Sequence, residues 1–197
     1  KATIFATHES DLLKGLDSSN YEIGLHPNFD SNGEFYNLHA LRDLHKIYPQ
    51  ALGTRSHTLL FGSRFLPELE RSGLIYESNI FLYMHEGLYS VARSKTIASI
   101  PFNWSDDKHL ELERAFDISE LPSLNNSGLN VFNFHPVHIY LNTDVYPRYE
   151  SAKVHFNTPE MSVYVNKKDG IRTLFEDVCK SIANRRLESG LLSDLVK

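Results

Sequence analysis

The sequence predicts an α/β fold in which short parallel strands are joined by helices. Short apolar segments typical of buried strands alternate with segments whose apolar residues recur every three or four positions, as on one face of a helix. The 197 residues are 41% hydrophobic and 23% charged, which is the balance of an ordinary globular protein. No internal repeat or low-complexity linker interrupts the pattern, so we expect one domain over residues 1–197.

Strand and helix segments alternate from the first residues onward. The predicted strands cover residues 2–7, 21–26, 51–54, 74–77 and 96–104, and the segment 129–141 contains the most apolar strand. The predicted helices cover residues 8–16, 37–48, 61–72 and 171–187. The second of these helices has Leu41 and Leu44 on one face and ends before Pro49. The alternation favours a parallel sheet with crossover helices, either in a barrel or in a doubly wound sheet.

Composition and charge exclude several classes of protein. The net charge is −5 and the isoelectric point is near 6.1, and no basic stripe is present, so nucleic-acid binding is not expected. The absence of a long apolar run and of a leader peptide predicts a cytoplasmic protein without a transmembrane segment. Cys179 is the single cysteine, so no internal disulfide can form, and its helical context predicts a core position. Lys1 runs directly into an apolar strand, which indicates that an upstream segment is missing.

Three histidines lie at or near the carboxyl ends of the second, third and last strong predicted strands. His26 ends the second strand, His57 follows the third, and His135 lies late in the last strong strand. Because the chemistry of parallel α/β proteins gathers at the carboxyl ends of the strands, we expect these three side chains at one mouth. The histidines predicted to be solvated lie in a helix or in a charged segment: His39, His45 and His109.

The segments around His26 resemble a known family. Residues 21–26 read YEIGLH and resemble the HEIGNH strand of polysaccharide deacetylases of the NodB-homology, carbohydrate-esterase type, whose last histidine binds a metal. Residues 1–5, KATIF, resemble the KATFF strand that precedes it in that family. The family's second histidine ligand, four residues further on, is replaced here by Asp30, in a loop that Pro27 changes. A carboxylate can also bind zinc or a harder divalent ion, so Asp30 is a candidate ligand or substrate contact.

Residues 54–57, TRSH, lie where the family carries its FRxP segment. Arg55 and His57 are two positions apart, so on an extended backbone both side chains point the same way. The resemblance implies that His57 binds the metal together with His26 and that Arg55 orients a catalytic carboxylate. The alternatives are a surface ion pair for Arg55 and a loop histidine for His57.

Residues 133–138, NFHPVH, resemble the family's closing LxHP motif. The resemblance implies that His135 is the general acid that protonates the leaving amine, a task that suits an imidazole because its pKa lies near the working pH. His138 is unusual for the family and is a candidate substrate contact or a support for its neighbour.

Residues 100–107, IPFNWSDD, resemble the strand that lines the family's substrate groove. Trp104 would then stack on a sugar ring. The alternative is a core tryptophan followed by a helix cap made by Ser105 and Asp106.

The combined motifs are most similar to the WbmS-like branch, which is linked to lipopolysaccharide O-antigen biosynthesis. The resemblance implies a distorted (β/α) barrel of about seven strands whose first strand is missing from this chain. It also implies a divalent cofactor, with zinc expected for imidazole ligands, and a saccharide substrate. The family's TFDD motif, which supplies the base and a metal-binding aspartate, is absent, and His8 or Glu9 is the nearest alternative in the sequence.

The expected function is metal-dependent removal of N-acetyl groups from a cell-surface or lipopolysaccharide sugar. Two alternatives stay open. One is a non-catalytic barrel homologue that binds saccharide through Trp104 and the aromatic segment near Phe81 and Tyr83. The other is a metal-dependent hydrolase of a different small amide on the same scaffold.

Overall fold

The computed structural model describes residues 1–30 and 37–196, which form two compact units. The first unit contains Lys1–Ile80, Tyr89–Pro101 and Ser189–Lys197, and the second contains Phe81–Leu88 and Phe102–Glu188. Within the described residues, no helix combines the length and the apolar character that crossing a bilayer requires.

The first unit contains a mixed six-stranded sheet. Its strands are β1 (Ala2–Ala6), β2 (Tyr21–Leu25), β3 (Gly53–Thr54), β4 (Tyr76–Glu77), β5 (Val91–Ala92) and β6 (Ala98–Ser99). The spatial order is β1-β2-β3-β4-β6-β5, and each neighbouring pair is parallel except the antiparallel pair β5 and β6. The predicted alternation of parallel strands with helices is confirmed for β1 to β4, whereas among the described residues no helix separates β4, β5 and β6.

Three α-helices accompany this sheet: α1 (Asp11–Lys14), α2 (His39–Ile47) and α3 (Leu66–Arg71). Ser10 caps α1, since its hydroxyl accepts a hydrogen bond from the backbone N–H of Leu13 at 3.5 Å. Helix α2 buries Leu41 and Leu44, the two leucines on its predicted apolar face. Both leucines join an apolar core with residues of the sheet and of α3: Ala6, Ile23, Leu25, Leu69 and Leu74.

A buried carboxylate connects α2 with α3. The Glu68 side chain is only 4% exposed and receives hydrogen bonds from Arg42, at 2.6 and 2.9 Å, and from Arg71 at 2.5 Å. The hydrogen bonds from Arg42 are the main cause that lowers the pKa of Glu68 to about 2. Burial acts in the opposite direction, and Arg71 adds to the lowering.

The second unit is mainly helical around a small sheet. Strands β7 (Trp104–Ser105) and β8 (Phe132–Asn133) pair in parallel. The helices are α4 (Asp106–Glu111), α5 (Pro136–Leu141), α6 (Tyr146–Ala152) and α7 (Ile171–Arg185). Helix α7 places Ile171, Leu174 and Val178 against Trp104 in the core of this unit. Short 3-10 helices complete the two units: His57–Leu59, Ile118–Glu120, Lys153–His155, Pro159–Tyr164 and Leu192–Leu195.

Two predicted strands are much shorter than expected. The segment 96–104 divides into β6 and the start of β7, and the segment 129–141 contains only the two residues of β8 before α5 begins. Pro136 at the first turn explains this early helix, because its fixed φ angle suits a helix start and its missing N–H is not needed there. His135 therefore lies at the N-cap of α5 and not inside a strand.

Two side chains have the opposite exposure from that predicted. Cys179 is exposed, because it lies one position beyond Val178 and so leaves the face of α7 that the core covers. His109 is fully buried, its ring nitrogen Nε2 lies 3.1 Å from the carbonyl oxygen of Ala115, and its ring packs beside Trp104. No closed barrel is found among the described residues, so the seven-stranded barrel stays a prediction.

The ion pair at Glu68 predicts a pH-dependent contribution to stability. Glu68→Gln should lower the free energy of unfolding near neutral pH by about 1–3 kcal/mol, because the variant loses hydrogen bonds between charged groups. The folded-state pKa of about 2 lies below the ordinary 4.5, so this stabilisation is present above that ordinary value and is lost as the pH falls towards 2.

Urea unfolding measured at neutral pH and at about pH 3 checks this prediction, because the difference between wild type and Glu68→Gln should shrink at the acid value. The control is Asp177→Asn, which breaks an exposed pair with Lys180 and should change stability by no more than about 0.5 kcal/mol. An equal loss for Glu68→Gln at both pH values would contradict the assignment.

Candidate active-site residues

His26 and His57 lie side by side at the carboxyl ends of β2 and β3. Leu25 pairs with Thr54 in the parallel register, so the chain leaves both strands at the same edge of the sheet. The backbone N–H of His57 donates a hydrogen bond to the carbonyl oxygen of Pro27 at 2.9 Å, which ties the two loops together. The ring centroids of His26 and His57 are 5.8 Å apart, with the planes at 84°.

The side chains of His26 and His57 line a cavity of about 510 Å³ in the first unit. It is lined by Thr7, His8, Glu9, His26, Asn28, Ala40, Asp43, Leu44, Ile47 and His57. We call it the histidine groove. Imidazole nitrogens together with carboxylate oxygens are the donors that zinc prefers, so this lining fits a divalent ion chemically.

The other predicted ligands have different surroundings. Glu9 lines the groove and forms an ion pair with Lys14, whose hydrogen bond lowers the pKa of the Glu9 carboxyl. His8 also lines the groove, and its Nδ1 lies 2.7 Å from the hydroxyl of Thr7. Asp30, by contrast, is exposed and does not belong to the described lining of the groove.

Arg55 is buried behind the carboxyl ends of β3 and β4. Its guanidinium lies 4.8 Å from the ring centroid of Phe5 and donates hydrogen bonds to the carbonyl oxygen and the hydroxyl of Ser78, at 2.9 and 2.7 Å. Burial lowers the pKa of Arg55 to about 10, and the group therefore stays protonated at neutral pH. The alternative of a surface ion pair is wrong, because only 5% of the residue is exposed.

A second cluster begins where β7 and β8 end. Ser105 pairs with Asn133 in the parallel register, so Asp106 and His135 follow adjacent strand ends. One carboxylate oxygen of Asp106, Oδ2, accepts a hydrogen bond from the backbone N–H of His135 at 2.6 Å. The other, Oδ1, lies 2.6 Å from the ring nitrogen Nδ1 of His135. Asp106 is fully buried, whereas the His135 side chain is 40% exposed.

Asp107 connects His135 with His138. Its Oδ1 lies 3.0 Å from Nε2 of His138, and its Oδ2 lies 3.5 Å from Nε2 of His135. The other ring nitrogen of His138, Nδ1, is 3.0 Å from the hydroxyl of Thr143. Burial raises the pKa of Asp107, but the hydrogen bond with His138 and the charges of the two histidines outweigh it, so the pKa lies below its usual value. We call these groups the Asp107 cluster, comprising Asp107, His135 and His138.

The structure corrects the predicted substrate contacts. Trp104 is fully buried and packs against Phe134, with ring centroids 4.7 Å apart, so the core interpretation applies and stacking on a sugar does not. Ser105 precedes α4 but makes no side-chain cap. His138 is buried within α5, because that helix starts at Pro136 and turns the ring inward, so it supports Asp107 and does not face a substrate.

Sequence reasoning missed the role of Asp106. The sequence of its segment predicts a groove-lining strand or a helix cap, and the hydrogen bonds between Asp106 and His135 depend on the pairing of β7 with β8. A signal is present in the sequence, since two aspartates lie two and three positions after the end of a predicted strand in an α/β pattern.

Comparisons with known proteins bear on the family and the fold. A family model described as WbmS-like polysaccharide deacetylase matches residues 1–153. The crystal structure of WbmS from Bordetella bronchiseptica, assigned as a candidate polysaccharide deacetylase involved in O-antigen biosynthesis, is similar with a TM-score of 0.78. The two sequences are 27% identical, and the match covers 91% of this chain and 78% of that one. A search of curated proteins gave no significant match.

The burial of Trp104 predicts a structural effect when it is removed. Trp104→Ala should lower the free energy of unfolding by about 3–5 kcal/mol, as deletion of a buried aromatic ring does. Tyr89→Ala is the control, since Tyr89 is 70% exposed and its loss should cost no more than about 0.5 kcal/mol. Urea unfolding measures both. Because Trp104 is the single tryptophan, its fluorescence should also stay unchanged when an N-acetylated oligosaccharide is added, and quenching would contradict the core assignment.

Proposed function

The chain belongs to the WbmS-like polysaccharide deacetylase family and is a hydrolase, and we propose that it removes N-acetyl groups from a cell-surface or lipopolysaccharide sugar with the help of a divalent ion. The observation that carries this proposal is the bond between His135 and the buried Asp106 at 2.6 Å. His135 matches the family's acid motif, and Asp106 is the hydrogen-bond partner that such an acid needs. A sugar of O-antigen is the substrate class that the WbmS similarity suggests.

We propose that His26 and His57 hold the ion, with zinc as the expected metal. Their rings are adjacent and line a groove whose other polar groups include His8 and Glu9. A zinc ion bound there would polarise the amide carbonyl and acidify a water molecule. His8 and Glu9 are this chain's own candidates for a further ligand or for the base. Asp30, which is exposed and outside the described lining, remains a candidate contact.

His135 is the proposed general acid. The carboxylate of Asp106 fixes the ring through Nδ1 and stabilises its protonated form, which leaves Nε2 to donate a proton to the departing amine. Arg55 keeps its positive charge in the buried polar network after β3, from which it would orient a catalytic carboxylate. The barrel of about seven strands and the cytoplasmic location are part of the same proposal.

A saccharide-binding homologue without catalysis is the less supported alternative. Trp104, the residue expected to stack on a sugar, is buried in the core. Phe81 and Tyr83 remain half-buried, and Phe81 stacks on Phe102 with ring centroids 4.7 Å apart. The carboxylate–imidazole bond serves proton transfer directly, whereas sugar binding does not require it. Hydrolysis of a different small amide uses the same groups and differs only in substrate.

Removal of the acid should reduce turnover strongly. His135→Ala should lower the maximal rate of acetate release from N-acetylated oligosaccharides by about 10²–10⁴, since this is the usual contribution of a general acid. The rate is measured over a series of zinc concentrations, so that metal supply does not limit either protein. His155→Ala is the matched control, because that ring lies in a 3-10 helix and stacks on Tyr164. Turnover close to that of the wild type would refute the assignment.

Removal of both groove histidines should abolish metal-dependent activity. His26→Ala/His57→Ala should bind one zinc ion fewer per chain and release no acetate above background. The further ligand from His8 or Glu9 cannot hold a catalytic ion by itself. His39→Ala/His45→Ala, two changes on α2, is the control and should behave as the wild type. Zinc content by atomic absorption and a panel of N-acetylated sugars provide the two measurements. If the double variant keeps the full zinc content, the ligands lie elsewhere.

A further inference from the structure

The Asp107 cluster has the spacing of a metal site. Ligand atoms of Asp107, His135 and His138 all lie within 4.8 Å of one another. Among the described residues, this is the group of three that meets that spacing. Atoms at about 2.0–2.2 Å from a tetrahedral zinc ion are about 3.4 Å apart. The two oxygen–nitrogen distances lie on either side of that value: 3.0 Å from Asp107 Oδ1 to Nε2 of His138, and 3.5 Å from Asp107 Oδ2 to Nε2 of His135. Small shifts of the side chains would therefore let all three bind one ion.

Each imidazole of the cluster also has a hydrogen-bond partner at Nδ1, as metal-binding histidines usually have at the nitrogen that does not bind the metal. Nδ1 of His135 is bonded to the buried carboxylate of Asp106, and Nδ1 of His138 is bonded to the hydroxyl of Thr143. Both rings therefore direct Nε2 towards the carboxylate of Asp107. Such partners fix the orientation of the ring and strengthen the nitrogen as a ligand.

Access to the cluster is open on one side. The His138 side chain is 2% exposed, whereas those of His135 and Asp107 are 40% and 48% exposed. An ion can thus arrive from solvent and keep a fourth position for water, which is the coordination of an open zinc site. Two imidazoles and one carboxylate favour zinc over magnesium or calcium, which prefer oxygen ligands alone.

We infer that Asp107, His135 and His138 form a second divalent-cation site, separate from the histidine groove, whose occupation by zinc inhibits the enzyme. The inhibitory part rests on the proposed function, because the ion would bind Nε2 of His135, the nitrogen that donates the proton to the leaving amine. The same nitrogen cannot hold a proton and a metal ion together. Excess zinc therefore switches off the acid while the groove keeps its own ion.

The first experiment counts zinc bound to the full chain by isothermal titration calorimetry, starting from metal-free protein. His26→Ala/His57→Ala should still bind one zinc ion. Addition of Asp107→Asn and His138→Gln to that variant should abolish binding, because two of the three ligands are changed. The matched control adds Asp177→Asn and His155→Gln instead, and it should retain the zinc. Absence of zinc in His26→Ala/His57→Ala, or its persistence after the cluster is changed, would overturn the inference.

Two further measurements keep the test decisive. Asp107→Asn alone changes a half-exposed side chain, so it tests the site even if the variant at the buried His138 fails to fold, and it should weaken zinc binding at least about tenfold. Acetate release by the wild type should pass through a maximum and fall in excess zinc, whereas Asp107→Asn should show no fall relative to its own maximum. A chain that releases no acetate at any zinc concentration contradicts the proposed function, and the zinc count then decides the second site by itself.

Discussion

Buried polar side chains at the ends of very short strands fix the positions of His57 and His135. Strands β3 and β4 contain two residues each, so their backbone ladder alone provides few hydrogen bonds. The loops after them are joined instead by side chains: the N–H and hydroxyl of Ser56 donate to Asn79 Oδ1 at 2.8 and 2.7 Å. A buried polar atom without a partner costs about 1–3 kcal/mol, so these loops have little freedom. His57 directly follows Ser56, so the same hydrogen bonds fix its position.

The same principle acts in the second unit through one carboxylate. Asp106 Oδ2 accepts the backbone N–H of His135, while Oδ1 accepts the backbone N–H of Asp107 and contacts the His135 ring. A single buried group therefore sets both the start of α5 and the orientation of the imidazole. Because the ring is held before any ligand arrives, little reorganisation is needed when it acts.

Sequence patterns predict which residues lie at the carboxyl ends of the strands better than they predict the surroundings of each side chain. His26 and His57 could be predicted as neighbours, since strand periodicity and the parallel-sheet rule depend on local pattern alone. The partner of His135 could not, because it requires the pairing of β7 with β8, whose residues are far apart in the chain. Burial was predicted least well. Cys179 and His109 show that one step around a helix reverses the exposure of a side chain.

The chemistry of His135 is decided by what reaches Nε2, because Nδ1 is already engaged by Asp106. A carboxylate at one ring nitrogen makes the other more basic, and this strengthens its bond to a proton and to a zinc ion alike. Asp107 then adds a negative charge 3.5 Å from Nε2, which attracts either cation. His138 keeps that carboxylate in place through a buried hydrogen bond at 3.0 Å. Under the proposed function, a proton and a zinc ion would therefore compete for the same nitrogen of His135.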